Sequence, residues 1–259
     1  MAAKNDTIGR TITVTVLLCV VCSVIVSAAA VLLKPQQLIN KELDRQSNIL
    51  AAAQIDYKGQ DVQKLFAEKI VTKYVDLKTG KYVDKPATYR DAKRAAKDPA
   101  LSTALTREQD IASIKRTADV MPVYLVSKGE QLEKVILPVH GYGLWSTLYG
   151  FLALEGDLNT VVGFGFYSHG ETPGLGGEVD NPKWKALWPG KKVYAEGSME
   201  PKLGLVKVAV VAGAPGSEFK VDALSGATIT SNGVTKLVQF WMGKNGYATY
   251  LTSLKAGES

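Results

Sequence analysis

From Ile12 to Leu33 the chain runs for 22 residues without a charged side chain, between Arg10 and Lys34. As an α-helix rising about 1.5 Å per residue, such a run reaches about 33 Å, enough to cross the hydrocarbon core of a bilayer. A short basic start and the small residues Ser27-Ala28-Ala29-Ala30 also fit a cleaved secretory signal. The apolar core of such a signal is only about 7–15 residues long, however, so the length favours an uncleaved transmembrane helix over 12–33. Residues 1–11 then form a short cytoplasmic start. Lys4 and Arg10 on one side face Lys34, Lys41 and Arg45 on the other, so the balance of positive charge barely sets the orientation. A signal-like first segment usually delivers the rest of its chain across the membrane, which makes the large remainder an exported domain.

Beyond the anchor the hydrophobic period changes. Gln36–Ala53 mixes Leu38, Ile39, Leu43, Ile49 and Leu50 with charges and reads as a helix continuing from the membrane segment or leaning on it. Asp61 is placed to cap a helix carrying Val62, Leu65, Phe66 and Ile70. Tyr74–Leu77 and Lys81–Val83 flank Lys78-Thr79-Gly80 as a hairpin. Residues 84–119 are charged and poor in large apolar side chains, which predicts solvated helix and loop. From Pro122 the texture turns to strands: Val123–Val126, Val135–Val139, Leu148–Leu154, Val161–Tyr167 and Leu205–Val211, with turn residues between some of them implying antiparallel pairing. Asn181-Pro182 marks a helix start, and Val234, Leu237, Val238 and Trp241 form the apolar stripe of a last helix. The fold class is α+β: one N-terminal transmembrane helix, then a soluble domain of antiparallel sheet with flanking helices. Within it, 34–119 form a helical, charged N-terminal part and 120–259 a strand-rich part.

Composition narrows the chemistry. With 259 residues, 46% hydrophobic and 22% charged, the chain is neither collagen-like nor disordered. The formal charge of +6 includes Lys93, Arg94, Lys97, Lys115 and Arg116, but apart from Tyr89 no aromatic residues interleave them, which argues against nucleic acid as a partner. Both cysteines, Cys19 and Cys22, lie inside the apolar run, where their CxxC spacing reads as small apolar helix residues. Leu18 and Val21 are too bulky to precede a lipidated cysteine. Elsewhere neither a disulfide nor a thiolate metal site is possible, and with His140 and His169 the only imidazoles no metal centre is expected. Redox chemistry would have to come from an organic cofactor. No G-x-G-x-x-G follows a strand, so no nicotinamide site is expected, and the membrane segment holds no carboxylate for an ion path.

Before the last helix stands Ser225-Gly226-Ala227-Thr228-Ile229-Thr230-Ser231-Asn232-Gly233. Small residues let a backbone approach an anion while free N–H groups and the positive end of the helix dipole face it. Composition alone favours a plainer reading, a helix capped by Ser231 or Asn232. The ordered string Asp222-Ala223-Leu224-Ser225-Gly226-Ala227-Thr228, however, resembles the flavinylation motif of the periplasmic FMN-binding domain family. Three further segments, in order, resemble the branch of that family found in Na+-translocating NADH:quinone oxidoreductases. They are Val26–Ala30 in the anchor, His140-Gly141-Tyr142-Gly143-Leu144-Trp145-Ser146, and Glu171-Thr172-Pro173-Gly174-Leu175-Gly176-Gly177-Glu178. Together these features span nearly the whole chain.

The resemblance implies an FMN-binding domain over 120–259, with FMN joined through a phosphoester to Thr228 by a dedicated flavin transferase, and Asp222, Ser225, Gly226 and Ala227 completing the string. It implies electron relay within a complex that oxidises NADH, reduces quinone and exports Na+, with the nicotinamide and ion sites on other subunits. A phosphoester fixes only one end of the cofactor, so the ring needs contacts elsewhere. Thr172, Gly174, Leu175 and Gly176 in one glycine-rich segment, and Tyr142 and Trp145 in the other, are the candidates. His140 and His169 offer hydrogen-bond donors but are equally explained as loop histidines, and neither is placed in the site. The rival readings are the G subunit of the Rnf ferredoxin:NAD+ complex, disfavoured by Leu144-Trp145-Ser146 and the long segment before residue 120, and a noncatalytic membrane-tethered sensor.

Overall fold

A computed structural model of the chain describes residues 7–129 and 131–257. Residues 1–6, which include Lys4 of the expected cytoplasmic start, lie outside the described residues. The chain divides into two compact units, 1–44 and 45–259. A single helix, α1 (Ile8–Ala52), contains the uncharged run and continues through Pro35 without a break. The side chains of Ile12–Leu33 are exposed throughout and the helix is long and apolar enough to cross a membrane. Pro35 removes one N–H from the helical ladder, a local loss that the continuous helix on both sides tolerates.

The second unit is built on a six-stranded antiparallel sheet. Its strands are β1 (Val71–Asp76), β2 (Tyr82–Val83), β5 (Val120–Lys128), β6 (Gln131–Tyr142), β7 (Thr147–Glu155) and β8 (Val161–Ser168), in the order β2-β1-β5-β6-β7-β8. A β1–β2 hairpin forms where the sequence places it, because the Asp76 carboxylate accepts the N–H groups of Lys78 and Thr79 at 2.9 Å and organises the turn. Alternation sends Val135, Leu137, Val139, Leu152 and Leu154 to one face, against Val234, Leu237, Val238 and Trp241 of α5 (Thr228–Met242). The other face carries Tyr124, Ile136, Phe151 and Ala153 against Ile49 and Leu50 at the end of α1, Ala53 just after it, and Leu65 of α2 (Val62–Lys69). The central strands are therefore buried on both sides, which explains their nearly continuous apolar runs. Asp61 caps α2, accepting from Gln63 and Lys64 at 3.0 and 3.2 Å, and Asn181 caps the short α4 (Pro182–Lys185) with Pro182 in its first turn.

Three local expectations change. Residues 84–119 hold α3 (Ala92–Ala95) and an antiparallel pair, β3 (Ser102–Ala104) with β4 (Arg116–Ala118), and they bury Tyr89, Ala95, Ala112 and Ala118. Their fully buried apolar residues are one tyrosine and small alanines, with Leu101, Leu105 and Ile114 partly buried against the same core, a pattern too sparse in large apolar side chains to mark a core element. The expected strand Leu205–Val211 shrinks to β9 (Gly204–Val206), which pairs in parallel with β10 (Lys220–Asp222). Beyond Val206 the Asp222 carboxylate accepts the Val210 N–H at 2.7 Å and turns the chain outward, leaving Val208 and Val211 exposed. Finally, α5 starts at Thr228 and is not capped by Ser231 or Asn232. Ser231 Oγ reaches back instead, donating to the Ala227 carbonyl at 2.9 Å and accepting the Leu224 N–H at 3.0 Å. The last element among the described residues is α6 (Ala248–Ala256).

Candidate functional site

Thr228 is the first helical residue of α5, is exposed, and comes directly after Ala227, whose side chain offers no cap. The first turn of this fifteen-residue helix therefore has no side-chain cap at Ala227, and the positive end of its dipole lies at the turn that carries Thr228. Gly226 makes this approach possible. Its φ of +71° is left-handed, and a Cβ there would come within 3.1 Å of Leu175 Cδ2, so the turn before Thr228 lies directly against the Glu171–Gly177 segment.

That segment is joined to its surroundings through Glu171, which is 5% exposed. Oε1 accepts N–H groups from Trp145 at 3.0 Å, Leu144 at 3.2 Å and Ser146 at 3.3 Å. Oε2 accepts the Thr230 hydroxyl at 2.7 Å and the Leu144 N–H at 3.2 Å. Burial raises the carboxyl pKa, but the bonds from Thr230, Trp145, Leu144 and Ser146 outweigh it and hold the group below its ordinary range, so it is ionised at neutral pH. Gly176 packs so closely over this carboxylate that a Cβ would sit 2.6 Å from Thr230 Oγ1 and 2.8 Å from Glu171 Oε2. Ser146 Oγ adds a latch by accepting the Gly170 N–H at 2.6 Å.

Around this polar centre runs an apolar rim. Tyr142, Leu144, Leu175 and Ile229 are exposed, and Trp145 is 65% exposed, more than expected of an unpartnered indole. Tyr142 donates its hydroxyl to the Trp145 carbonyl at 3.3 Å. The residues proposed from sequence are thus brought together from three separated stretches: Tyr142 and Trp145; Thr172, Gly174, Leu175 and Gly176; and Ser225, Gly226, Ala227 and Thr228. Thr172 contributes its backbone carbonyl, which accepts from Leu175 and Gly177 and shapes the turn. Asp222 does not join them by its side chain, which is spent on Val210, while its carbonyl accepts Trp184 Nε1 at 3.0 Å.

Glu171 and Ser146 are the participants that sequence reasoning leaves out; the signal available was a lone acidic residue opening a glycine-rich segment. His169 supports from behind. Its Nδ1 accepts the Glu171 N–H at 3.2 Å, so Nε2 carries the proton and donates to Asp180 at 2.7 Å. His140 is no loop histidine: it lies in β6, buried between Tyr149 and Trp241 at ring separations of 5.5 and 4.9 Å. Burial, reinforced by the charge of Lys93, lowers its pKa to about 4, so it brings no positive charge to the site at neutral pH.

Residues 143–243 match the model of the FMN-binding domain family. Over 99% of its length the chain is 52% identical to the C subunit of the Na(+)-translocating NADH-quinone reductase of Pseudomonas aeruginosa, covering 100% of that relative. It is 51% identical to the Vibrio vulnificus protein of the same name, covering 98% of each. Among solved structures it resembles Shewanella oneidensis NqrC with a TM-score of 0.77 and 37% identity, covering 84% of this chain and 99% of that one. It also resembles the corresponding reductase subunit from Parabacteroides distasonis with a TM-score of 0.66 and 30% identity, over 85% and 98% of the two chains. With half of all positions identical along the full length of its relatives, the chain belongs to the family of C subunits of the Na(+)-translocating NADH-quinone reductase.

Proposed function

We propose that the chain holds FMN covalently on Thr228 and relays electrons through it within a Na+-translocating NADH:quinone oxidoreductase complex. The observation that carries this reading is the convergence of two distant segments on Gly226, Thr230 and Gly233, the turn and first helical turns that carry the exposed Thr228, with exposed apolar side chains around them. These residues fit the cofactor at both ends. Thr228 Oγ is accessible for a phosphoester, with α5 N–H donors beside it, and Leu175, Tyr142 and Trp145 offer apolar and aromatic surface for a ring. When bound, FMN supplies reversible uptake and release of electrons. Attachment forms the Thr228 Oγ–phosphorus bond and breaks the phosphoanhydride of a flavin dinucleotide donor, with the nucleoside monophosphate as leaving group and the hydroxyl proton released to water. Thr228 has no general base in hydrogen-bonding contact among the described residues, which is consistent with a separate flavin transferase catalysing the step. The full chain co-expressed with such a transferase should run as a fluorescent band after denaturing electrophoresis; a dark band overturns the reading.

Ring contact is tested separately by Leu175→Arg. A bulky cation at this position removes apolar contact with the ring while the Thr228 hydroxyl, two residues beyond the Gly226 that Leu175 packs against, stays in place to carry the phosphate. The band should stay fluorescent while the visible absorption shifts and electron transfer slows by about tenfold or more, equivalent to about 1.4 kcal/mol. An unchanged spectrum places Leu175 away from the ring.

In the same reading α1 is a single-pass anchor in the inner membrane, residues 1–11 are cytoplasmic, and the sheet unit is periplasmic, docking with the other subunits of the complex. Alkaline phosphatase fused after Ser259 should be active, and fused after Arg10 inactive. The reverse pattern overturns the orientation, and a mature chain starting near Ala30 overturns the anchor.

A further inference from the structure

We propose that Glu171 is the positioning residue of this site: its buried carboxylate binds the tip of the β6–β7 hairpin to the first turn of α5, so the cradle is assembled before any flavin is attached. The inference rests on the flavin reading for its purpose, but its geometry is independent of it. Pairing of β6 with β7 ends at Tyr142 and Thr147, leaving Gly143–Ser146 as a four-residue tip. Such tips, with exposed large side chains like those of Leu144 and Trp145, are ordinarily the mobile part of a hairpin. Here the tip closes through Gly143 N–H donating to the Ser146 carbonyl at 2.8 Å, and three successive N–H groups, those of Leu144, Trp145 and Ser146, then converge on Glu171. Successive amides turned toward one oxygen form an anion-binding concavity, and in this chain the anion is its own side chain.

Two features separate a positioning role from plain packing. First, the carboxylate has no Lys, Arg or His side chain within salt-bridge distance among the described residues; its charge is balanced by N–H donors and the Thr230 hydroxyl. All its binding capacity therefore goes into joining segments. Second, the segments it joins are those that carry Trp145, Leu175 and Thr228. Glutamine in its place keeps most of the network, because its oxygen can take the three N–H groups while its amide donates to a reoriented Thr230 hydroxyl. Alanine leaves all these donors without an acceptor.

The test is hydrogen exchange on the full chain in detergent, expressed without a flavin transferase. In the wild type the amides of Leu144, Trp145 and Ser146 should be protected. In Glu171→Ala they should exchange about 100-fold faster, while Leu152 and Leu154 in β7 stay protected. Glu171→Gln should stay within about tenfold of wild type. Equal exchange at the tip in Ala and wild type, or Gln exchanging as fast as Ala, overturns the proposal. Should Ala also release Leu152 and Leu154, Gln decides alone: a protected tip supports the role and an exposed one overturns it. On co-expression with a transferase, the Ala variant should keep a fluorescent band with an altered flavin absorption, and identical absorption overturns the role at the ring. A dark wild-type band defeats the flavin reading instead, and leaves the exchange result standing.

Discussion

Thr228→Val should abolish covalent flavin and leave the fold intact. Thr228 is exposed at the start of α5, and valine differs from it by one hydroxyl, so the substitution should change stability by no more than about 0.5 kcal/mol. The neighbouring hydroxyls are poor substitutes for it. Thr230 is 1% exposed and donates to Glu171, and Ser231 is 3% exposed and bridges Leu224 and Ala227. Neither is available to a transferase without breaking the network that forms the site. Their replacement should instead cost stability, about 1–3 kcal/mol each, because both leave buried partners unsatisfied rather than merely weakening a helix cap. Only Ser225 shares the exposure of Thr228, and it sits three residues earlier, before the Gly226 turn. In-gel fluorescence of the Val variant, with the mass of the flavin peptide from the wild type, checks the assignment. Fluorescence that persists through denaturation in the variant, or a flavin peptide modified at Ser225, would move the attachment point.

Much of the scaffold was legible because its signals are local. Asp61, Asn181 and Pro182 each act within three residues of themselves, and the short, nearly continuous apolar runs of β6 and β7 are enough to show strands. The failures share one cause, partners that the local pattern does not reveal. The Val208–Val211 run has the composition of a strand, yet Asp222, twelve residues after Val210, diverts it into a loop. Ser231 has the chemistry of a cap, but the turn at Gly226 folds Leu224 back over it, so its hydroxyl serves the preceding loop. Tyr89 and the alanines of 84–119 enter a core that other elements provide.

The candidate site divides in the same way. Its glycines and Thr228 stand in recognisable strings, whereas Glu171 draws its meaning from amides 25 to 27 residues earlier and a hydroxyl 59 residues later. No local pattern could reveal that role. The same non-locality explains how an apparently ordinary glycine-rich turn becomes the junction of a site: the information lies in the closure of the hairpin and helix around one carboxylate, and each string alone looks like a turn.

Gly233→Val sets helix propensity against close packing, and packing should win. Inside a helix, valine is favoured over glycine by a few tenths of a kcal/mol. A Cβ at Gly233 would lie 2.5 Å from the Tyr142 carbonyl oxygen and 3.1 Å from Gly143 Cα. Both are backbone atoms, and Tyr142 is fixed by its pairing with Thr147 and by donating its N–H to the Ala112 carbonyl at 2.9 Å. The strand cannot yield, so α5 must lift, opening gaps around Val234, Leu237 and Val238, which are fully buried against the sheet. Overpacking against backbone should cost about 3 kcal/mol, roughly ten times the propensity gain, and lower the unfolding midpoint by about 6–12 °C. The same lift draws Thr230 away from Glu171, so any attached flavin should also show an altered absorption. Asn232→Ala, one residue away on the exposed side of α5, is the control and should move the midpoint by no more than about 2 °C. A Val variant that melts with the control would mean that α5 does not rest on the end of β6, and the junction of the separate segments at the start of α5 would lose its foundation.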